Sequence, residues 1–138
     1  MRVVLDSNVL VSALVGHSLP RRLLFQLLRG HVILSSMQML AELEEVLSRK
    51  KFELTRGQVE EYLKLVINGT HLINVTVCLE VVLEDPDDDI VLATASEGDA
   101  DYIVTGDKHL LRLEKHQMTK IVTVKEMLEL VNYPPLKR

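Results

Sequence analysis

The 138 residues carry a formal charge of −4, with 47% hydrophobic and 26% charged side chains, the balance of one globular domain. That composition is too apolar for a disordered chain, and no apolar stretch is long enough to cross a bilayer. Met1-Arg2-Val3 opens straight into an apolar run without a signal-peptide layout, and a lone Cys78 has no internal disulfide partner, so the reading is cytoplasmic.

Val3-Val4-Leu5 reads as a first strand that ends on Asp6, and Asp6-Ser7-Asn8 can cap a helix beginning near Val9. Pro20 marks a second helix over 21–29, with Leu23, Leu24, Leu27 and Leu28 as its apolar stripe and Gly30 at its end. His31 to Ser35 reads as a strand. Ser35-Ser36 can then cap a helix over 37–49, whose apolar face is Met39, Leu40, Leu43, Val46 and Leu47 and whose end is closed by Arg49-Lys50-Lys51. A helix from Thr55 or Arg56 to Ile67 follows, then a short strand over 71–77. Asp87 or Asp88 caps a helix through Glu97, with Gly98 as its terminator. A strand ending at Thr105, a short helix over 108–113, a strand over 120–124 and a helix to Val131 complete the domain, 1–133, before a tail at 134–138. Strands alternating with helices at these lengths predict a three-layer α/β/α sandwich around a mainly parallel sheet.

Two of these strands finish on an aspartate, Asp6 and, past Thr105-Gly106, Asp107. Ligands of open parallel sheets bind beyond the carboxyl ends of the strands. Carboxylates gathered there repel one another unless a cation lies between them. The acidic run Glu84-Asp85-Pro86-Asp87-Asp88-Asp89 precedes a helix and adds candidates. Glu42, three residues after Met39 and four before Val46, borders its helix's apolar stripe. Each acid also has an ordinary reading: Asp6 as a helix cap, Asp107 as a turn residue, Asp87–Asp89 as a solvated helix start, Glu42 as a surface glutamate. Taken jointly, they suit a hard divalent ion such as Mg²⁺ or Mn²⁺ and the chemistry of phosphodiester hydrolysis. The five histidines have no zinc-ligand spacing, and there is no P-loop, no Gly-x-Gly-x-x-Gly and no Cys-x-x-Cys.

Four segments together resemble a family. Val4-Leu5-Asp6-Ser7-Asn8-Val9-Leu10, Leu40-Ala41-Glu42-Leu43-Glu44-Glu45-Val46-Leu47, Asp85-Pro86-Asp87-Asp88-Asp89-Ile90-Val91-Leu92-Ala93-Thr94-Ala95 and Ala100-Asp101-Tyr102-Ile103-Val104-Thr105-Gly106-Asp107-Lys108 are similar, in order and spacing, to the acidic elements of PIN domains. The chain resembles in particular the prokaryotic stand-alone PIN proteins that serve as toxins of toxin–antitoxin pairs. The resemblance implies a metal-dependent endoribonuclease acting on single-stranded RNA. Its acidic quartet falls on Asp6, Glu42, Asp89 and Asp107, with Asp88 the alternative to Asp89. Ser7, Asn8 and Thr105 fall on the supporting polar positions. An antitoxin protein and a second copy of the chain are the candidate protein partners, with no membrane.

For RNA, the candidate cations are Arg21 and Arg22, Arg49-Lys50-Lys51, Arg112 and, foremost, Lys108 beside Asp107. A solvated face is the ordinary reading for Lys50 and Lys51. Two rival functions remain: a catalytically silent PIN-like module that binds RNA or an antitoxin, and a Mg²⁺-binding phospho-acceptor receiver domain. The receiver would want paired acids after its first strand, where this chain has Ser7 and Asn8.

Overall fold

In the computed structural model, Val3, Val4 and Leu5 are all buried, as a continuous apolar run in a doubly covered parallel sheet must be. The structure describes residues 1–16, 18–76 and 86–132, with the backbone alone at 86–88. The strands are β1 (Arg2–Leu5), β2 (Val32–Ser36), β3 (His71–Ile73), β4 (Tyr102–Val104), β5 (Lys115–His116) and β6 (Thr119–Val122). The helices are α1 (Ser7–Val15), α2 (Leu19–Gly30), α3 (Met37–Leu47), α4 (Arg56–Gly69), α5 (Pro86–Glu97), α6 (Lys108–Leu113) and α7 (Val124–Asn132), with a 3-10 turn at Lys50–Phe52.

The strands form one sheet in the order β3-β2-β1-β4-β6-β5, parallel except for the β5–β6 pair. Alternation along β1 sends Val3 and Leu5 to one face and Val4 to the other. Val3 and Leu5 join Ile33, Val104 and residues of α1, α2, α4 and α7 in one apolar cluster. Val4 joins Leu34, Ile103, Ile121, Leu92 and Ala95 of α5 and Leu110 of α6 in a second. The predicted three-layer sandwich is therefore the observed one.

Local chemistry explains where the elements begin and end. The Asp6 carboxylate accepts from the Ser7 amide, so α1 starts at Ser7, two residues earlier than the apolar pattern suggests. Pro20 stands in the first turn of α2, where its missing N–H costs nothing. Thr55 and Gln58 cap each other across the first turn of α4. Helix α3 stops at Leu47: Ser48 caps it, with its hydroxyl donating to the Glu44 carbonyl at 2.8 Å, and the backbone turns extended at Arg49. Arg49-Lys50-Lys51 thus falls beyond α3 and does not close it, contrary to expectation. Helix α5 starts at Pro86, so Asp87 and Asp88 belong to its first turn and are not the cap. Gly98 ends α5 where it meets the sheet: a Cβ there would stand 3.0 Å from both Leu34 Cδ1 and Ile73 Cγ1.

Strand β3 keeps three of the six described residues in the span predicted for it, and β5 is not foreseen, since two residues show no periodicity. Val77, Cys78 and the tail lie outside the described residues. Strand β5 brings a titratable group into partial burial. His116 Nε2 is buried with no hydrogen-bond partner among the described residues, and desolvation lowers the imidazole pKa below its usual 6.5. The unfolded chain therefore binds this proton more readily. The stability that neutral His116 contributes is complete above about pH 6.5 and is lost as pH falls below it. Melting temperatures between pH 7.5 and 5 should fall less steeply in His116→Phe than in the parent; parallel curves would assign the acid loss to other groups.

Candidate active site

Buried polar side chains are few here, and they gather at one place. Asp6, Ser7, Ser35, Ser36, Thr94 and Thr105 are all buried at the carboxyl ends of β1, β2 and β4 or on the helix turns beside them. Thr119, the remaining buried polar residue among those described, lies at the start of β6 and donates to the Ala100 carbonyl.

The register of the sheet brings the first and last acids together. Leu5 pairs with Val104, and the Asp6 amide continues the ladder by donating to the Val104 carbonyl at 3.0 Å. Thr105 therefore arrives beside Asp6, and its hydroxyl donates to Asp6 Oδ2 at 2.7 Å. The other carboxylate oxygen, Oδ1, accepts from the Ser7 amide at 2.7 Å. A carboxylate left 6% exposed needs such donors, because burying an ion without them costs several kcal/mol.

The hydroxyls extend this into a chain of acids. Ser7 Oγ donates to Glu42 Oε2 at 3.0 Å, which ties α3 to the start of α1. Thr105 Oγ1 accepts from the Asp107 amide at 3.0 Å, which sets the turn carrying the last acid. Asp107 Oδ1 in turn caps α6 by accepting from the His109 amide at 2.8 Å. Asp6 and Asp107 are thus helix caps and also neighbours in one polar network, so the ordinary and the chemical readings of these residues coexist. Asp89 is half-buried in the first turn of α5. Asn8 is exposed on the first turn of α1, and Lys108 is exposed as the first residue of α6.

Among the described residues, no three acidic, histidine or cysteine side chains stand close enough to form a finished ion cage. Facing carboxylates repel until a cation lies between them, so a spread arrangement is what their charges favour. The donor set still fits a hard ion in kind: carboxylate and hydroxyl oxygens from three separate elements, two of them held by dedicated hydrogen bonds.

One of the cations proposed for RNA has another occupation. Arg21 donates from Nε to the Ala13 carbonyl at 2.9 Å and from Nη2 to the Leu14 carbonyl at 2.6 Å, which satisfies the end of α1. Sequence reading also missed the Ser36–Thr94 hydroxyl pair, 3.0 Å apart, which links the start of α3 to α5 across the sheet edge. The doublet Ser35-Ser36 signalled only a cap; its partner on α5 is visible only in three dimensions.

A family model described as PIN domain matches residues 2–109, most of the chain and all three of these hydrogen-bonded acids. The chain belongs to the PIN domain family. Among solved structures, this PIN domain is similar to VapBC2 from Rickettsia felis, crystallised bound to a DNA fragment from its promoter. The TM-score is 0.66 at 22% identity, covering 89% of this chain and 98% of that one. It is also similar to PAE2754 from Pyrobaculum aerophilum, with a TM-score of 0.60 at 18% identity over 95% of this chain and 88% of the other. At such identities the likeness speaks for the fold. No curated protein matches the chain in sequence. Membership of the PIN domain family replaces the receiver-domain reading.

Proposed function

We propose that this PIN domain is a divalent-metal-dependent endoribonuclease, the toxin of a toxin–antitoxin pair, that hydrolyses single-stranded RNA. The observation that carries the reading is the pair of hydroxyls, Ser7 and Thr105, that tie Glu42, Asp6 and the Asp107 turn into one edge of the sheet. Asp6, Glu42, Asp89 and Asp107 would hold Mg²⁺ or Mn²⁺, with Asp88 the alternative to Asp89. The ion supplies an acidified water and charge stabilisation at the phosphoryl group. The protein's own residues set the stage: Thr105 and the Ser7 amide orient Asp6, Ser7 orients Glu42, and Lys108, next to Asp107, holds a phosphate.

An antitoxin partner finds support in an apolar groove between α1, α2 and α4, lined by Leu10, Leu24, Phe25, Leu28, Tyr62 and Leu65. Phe25 is 55% and Leu65 62% exposed, and contiguous apolar surface of this kind marks interaction sites. The VapBC2 likeness agrees with such a pairing.

The test combines metal titration with cleavage. Mn²⁺ added to metal-free protein should give a calorimetric binding signal that Asp107→Asn weakens. Labelled single-stranded RNA should be cut with Mg²⁺ or Mn²⁺ and left intact in EDTA, giving 5′-phosphate and 3′-hydroxyl ends. A 2′,3′-cyclic phosphate would mean that the RNA's own hydroxyl attacked, and would overturn hydrolysis by water. Metal binding without cleavage of any RNA would favour the silent binding module.

A further inference from the structure

A second groove begins where the acidic site ends. Its near end is Asn8, the residue after Ser7 on α1, together with Val46, one turn beyond Glu42 on α3. Its far end is Ser18, Arg49, Lys51 and Phe52, and its volume is ≈ 580 Å³. The stretch of α1 along it, from Asn8 to Val15, is about 10 Å long at 1.5 Å per residue.

The charge of this groove is opposite to that of the chain. The protein carries −4 overall, yet no residue lining the groove is acidic among those described, and Arg49 and Lys51 both line it. Both side chains are positioned. Lys51 Nζ lies 5.1 Å from the centre of the Phe52 ring, a cation–π distance that restrains a long and otherwise mobile side chain. Arg49 Nη2 is 3.4 Å from Glu45 Oε1 in an exposed pair, which a phosphate can displace. The early stop of α3 at Leu47 is what brings both residues here; continued as a helix, the segment would present them along the α3 axis.

We propose that this groove is the path of the RNA backbone away from the acidic site, with Arg49 and Lys51 each holding a phosphate and Asn8 standing where the strand enters. The proposal rests on the ribonuclease reading and adds to it the place and the two cations by which substrate is held. Arg49 and Lys51 are positioning residues, remote from the reacting phosphorus. Their loss therefore weakens binding of ground state and transition state alike, raising KM and leaving kcat unchanged.

The experiment measures binding of a fluorescent single-stranded RNA to the whole protein in EDTA across a salt series, then kinetics with Mn²⁺. Each phosphate contact on a single strand adds about 0.7 to the slope of log K against log salt, so R49Q/K51Q should flatten it by about 1.4. At 0.1 M salt this corresponds to a loss of affinity of roughly ten- to thirty-fold. KM should rise by a similar factor with kcat held, whereas K64Q/K125Q, on exposed faces of α4 and α7, removes the same charge and should change neither. Thermal melting of each variant confirms that it is folded. A parent that binds and cuts RNA, beside an R49Q/K51Q protein with the same slope and KM, overturns the groove and leaves the ribonuclease standing. An equal loss in K64Q/K125Q overturns it too, since bulk charge would then explain the effect. A parent that binds no RNA in EDTA and neither binds nor cuts it with Mn²⁺ overturns both.

Discussion

Asp6→Asn is expected to lower metal-dependent RNA cleavage by about three orders of magnitude while leaving the protein folded. A metal-held phosphoryl transition state draws several kcal/mol from the ion, and each 1.36 kcal/mol is tenfold in rate. Asp6 stands at the centre of the polar network, held between the Ser7 amide and the Thr105 hydroxyl, and the substitution removes its charge from that position. The fold tolerates the change because asparagine is as good a helix cap as aspartate. Its carbonyl oxygen still accepts from the Ser7 amide, and the Thr105 hydroxyl can rotate to accept from the new NH₂ group. Cleavage rates with Mn²⁺ and a thermal melt of the same preparation test both halves. Activity that persists in the variant would point to a contaminating nuclease or to a site elsewhere, and an unfolded variant would make Asp6 chiefly structural.

Thr105→Val should harm both stability and activity, and Thr105→Ser should restore most of each. Thr105 is fully buried, and its hydroxyl serves two partners at once, donating to Asp6 Oδ2 and accepting from the Asp107 amide. Valine fills the same space and removes both hydrogen bonds, the one to the Asp6 carboxylate and the one from the Asp107 amide. Losing two buried hydrogen bonds costs about 1–3 kcal/mol in all, which for a chain of this size lowers the melting temperature by roughly 3–10 °C. Loss of a residue that orients metal-binding carboxylates typically costs about 10–100-fold in affinity or activity. Calorimetric melting and cleavage rates on the three proteins decide it. A valine variant that melts like the parent and cuts like the parent would show that Asp6 and Asp107 find their geometry without this hydroxyl.

Much of this was legible in the chain itself. Buried strands announce themselves as short apolar runs, and β1, β2, β4 and β6 were each found that way, to within a residue or two. Caps and breakers did the same for the helices, because Pro20, Thr55 and Gly98 act on the backbone within a single turn. The candidate acids Asp6 and Asp107 were also visible, since each follows a strand whose end a parallel sheet sends to one edge. Boundaries failed where the backbone changed course without a periodic signal: it turns extended at Arg49, ending α3 before its run of cations, and Pro86 opens α5 ahead of the aspartates expected to cap it. Strand β5 was too short to leave a pattern.

The order of apolar runs and turn residues by itself determined that this chain would be an α/β sandwich with acids at one sheet edge, because hydrophobic period and capping are local effects that adjacent residues settle among themselves. Only the tertiary structure decided which residues meet. Asp6 and Thr105 are 99 positions apart, and Ser7 and Glu42 are 35 apart, and no local rule reports that a hydroxyl of one finds a carboxylate of the other. The same holds for Arg21, which looks like a free cation in sequence and is spent on the carbonyls at the end of α1. Arg49 and Lys51 show the reverse, candidate cations in a run whose ordinary reading is a solvated face, which the turn after α3 places along a groove. The physical reason is that pairing of distant polar groups is set by strand register and helix packing, which depend on the whole core and not on any segment of it.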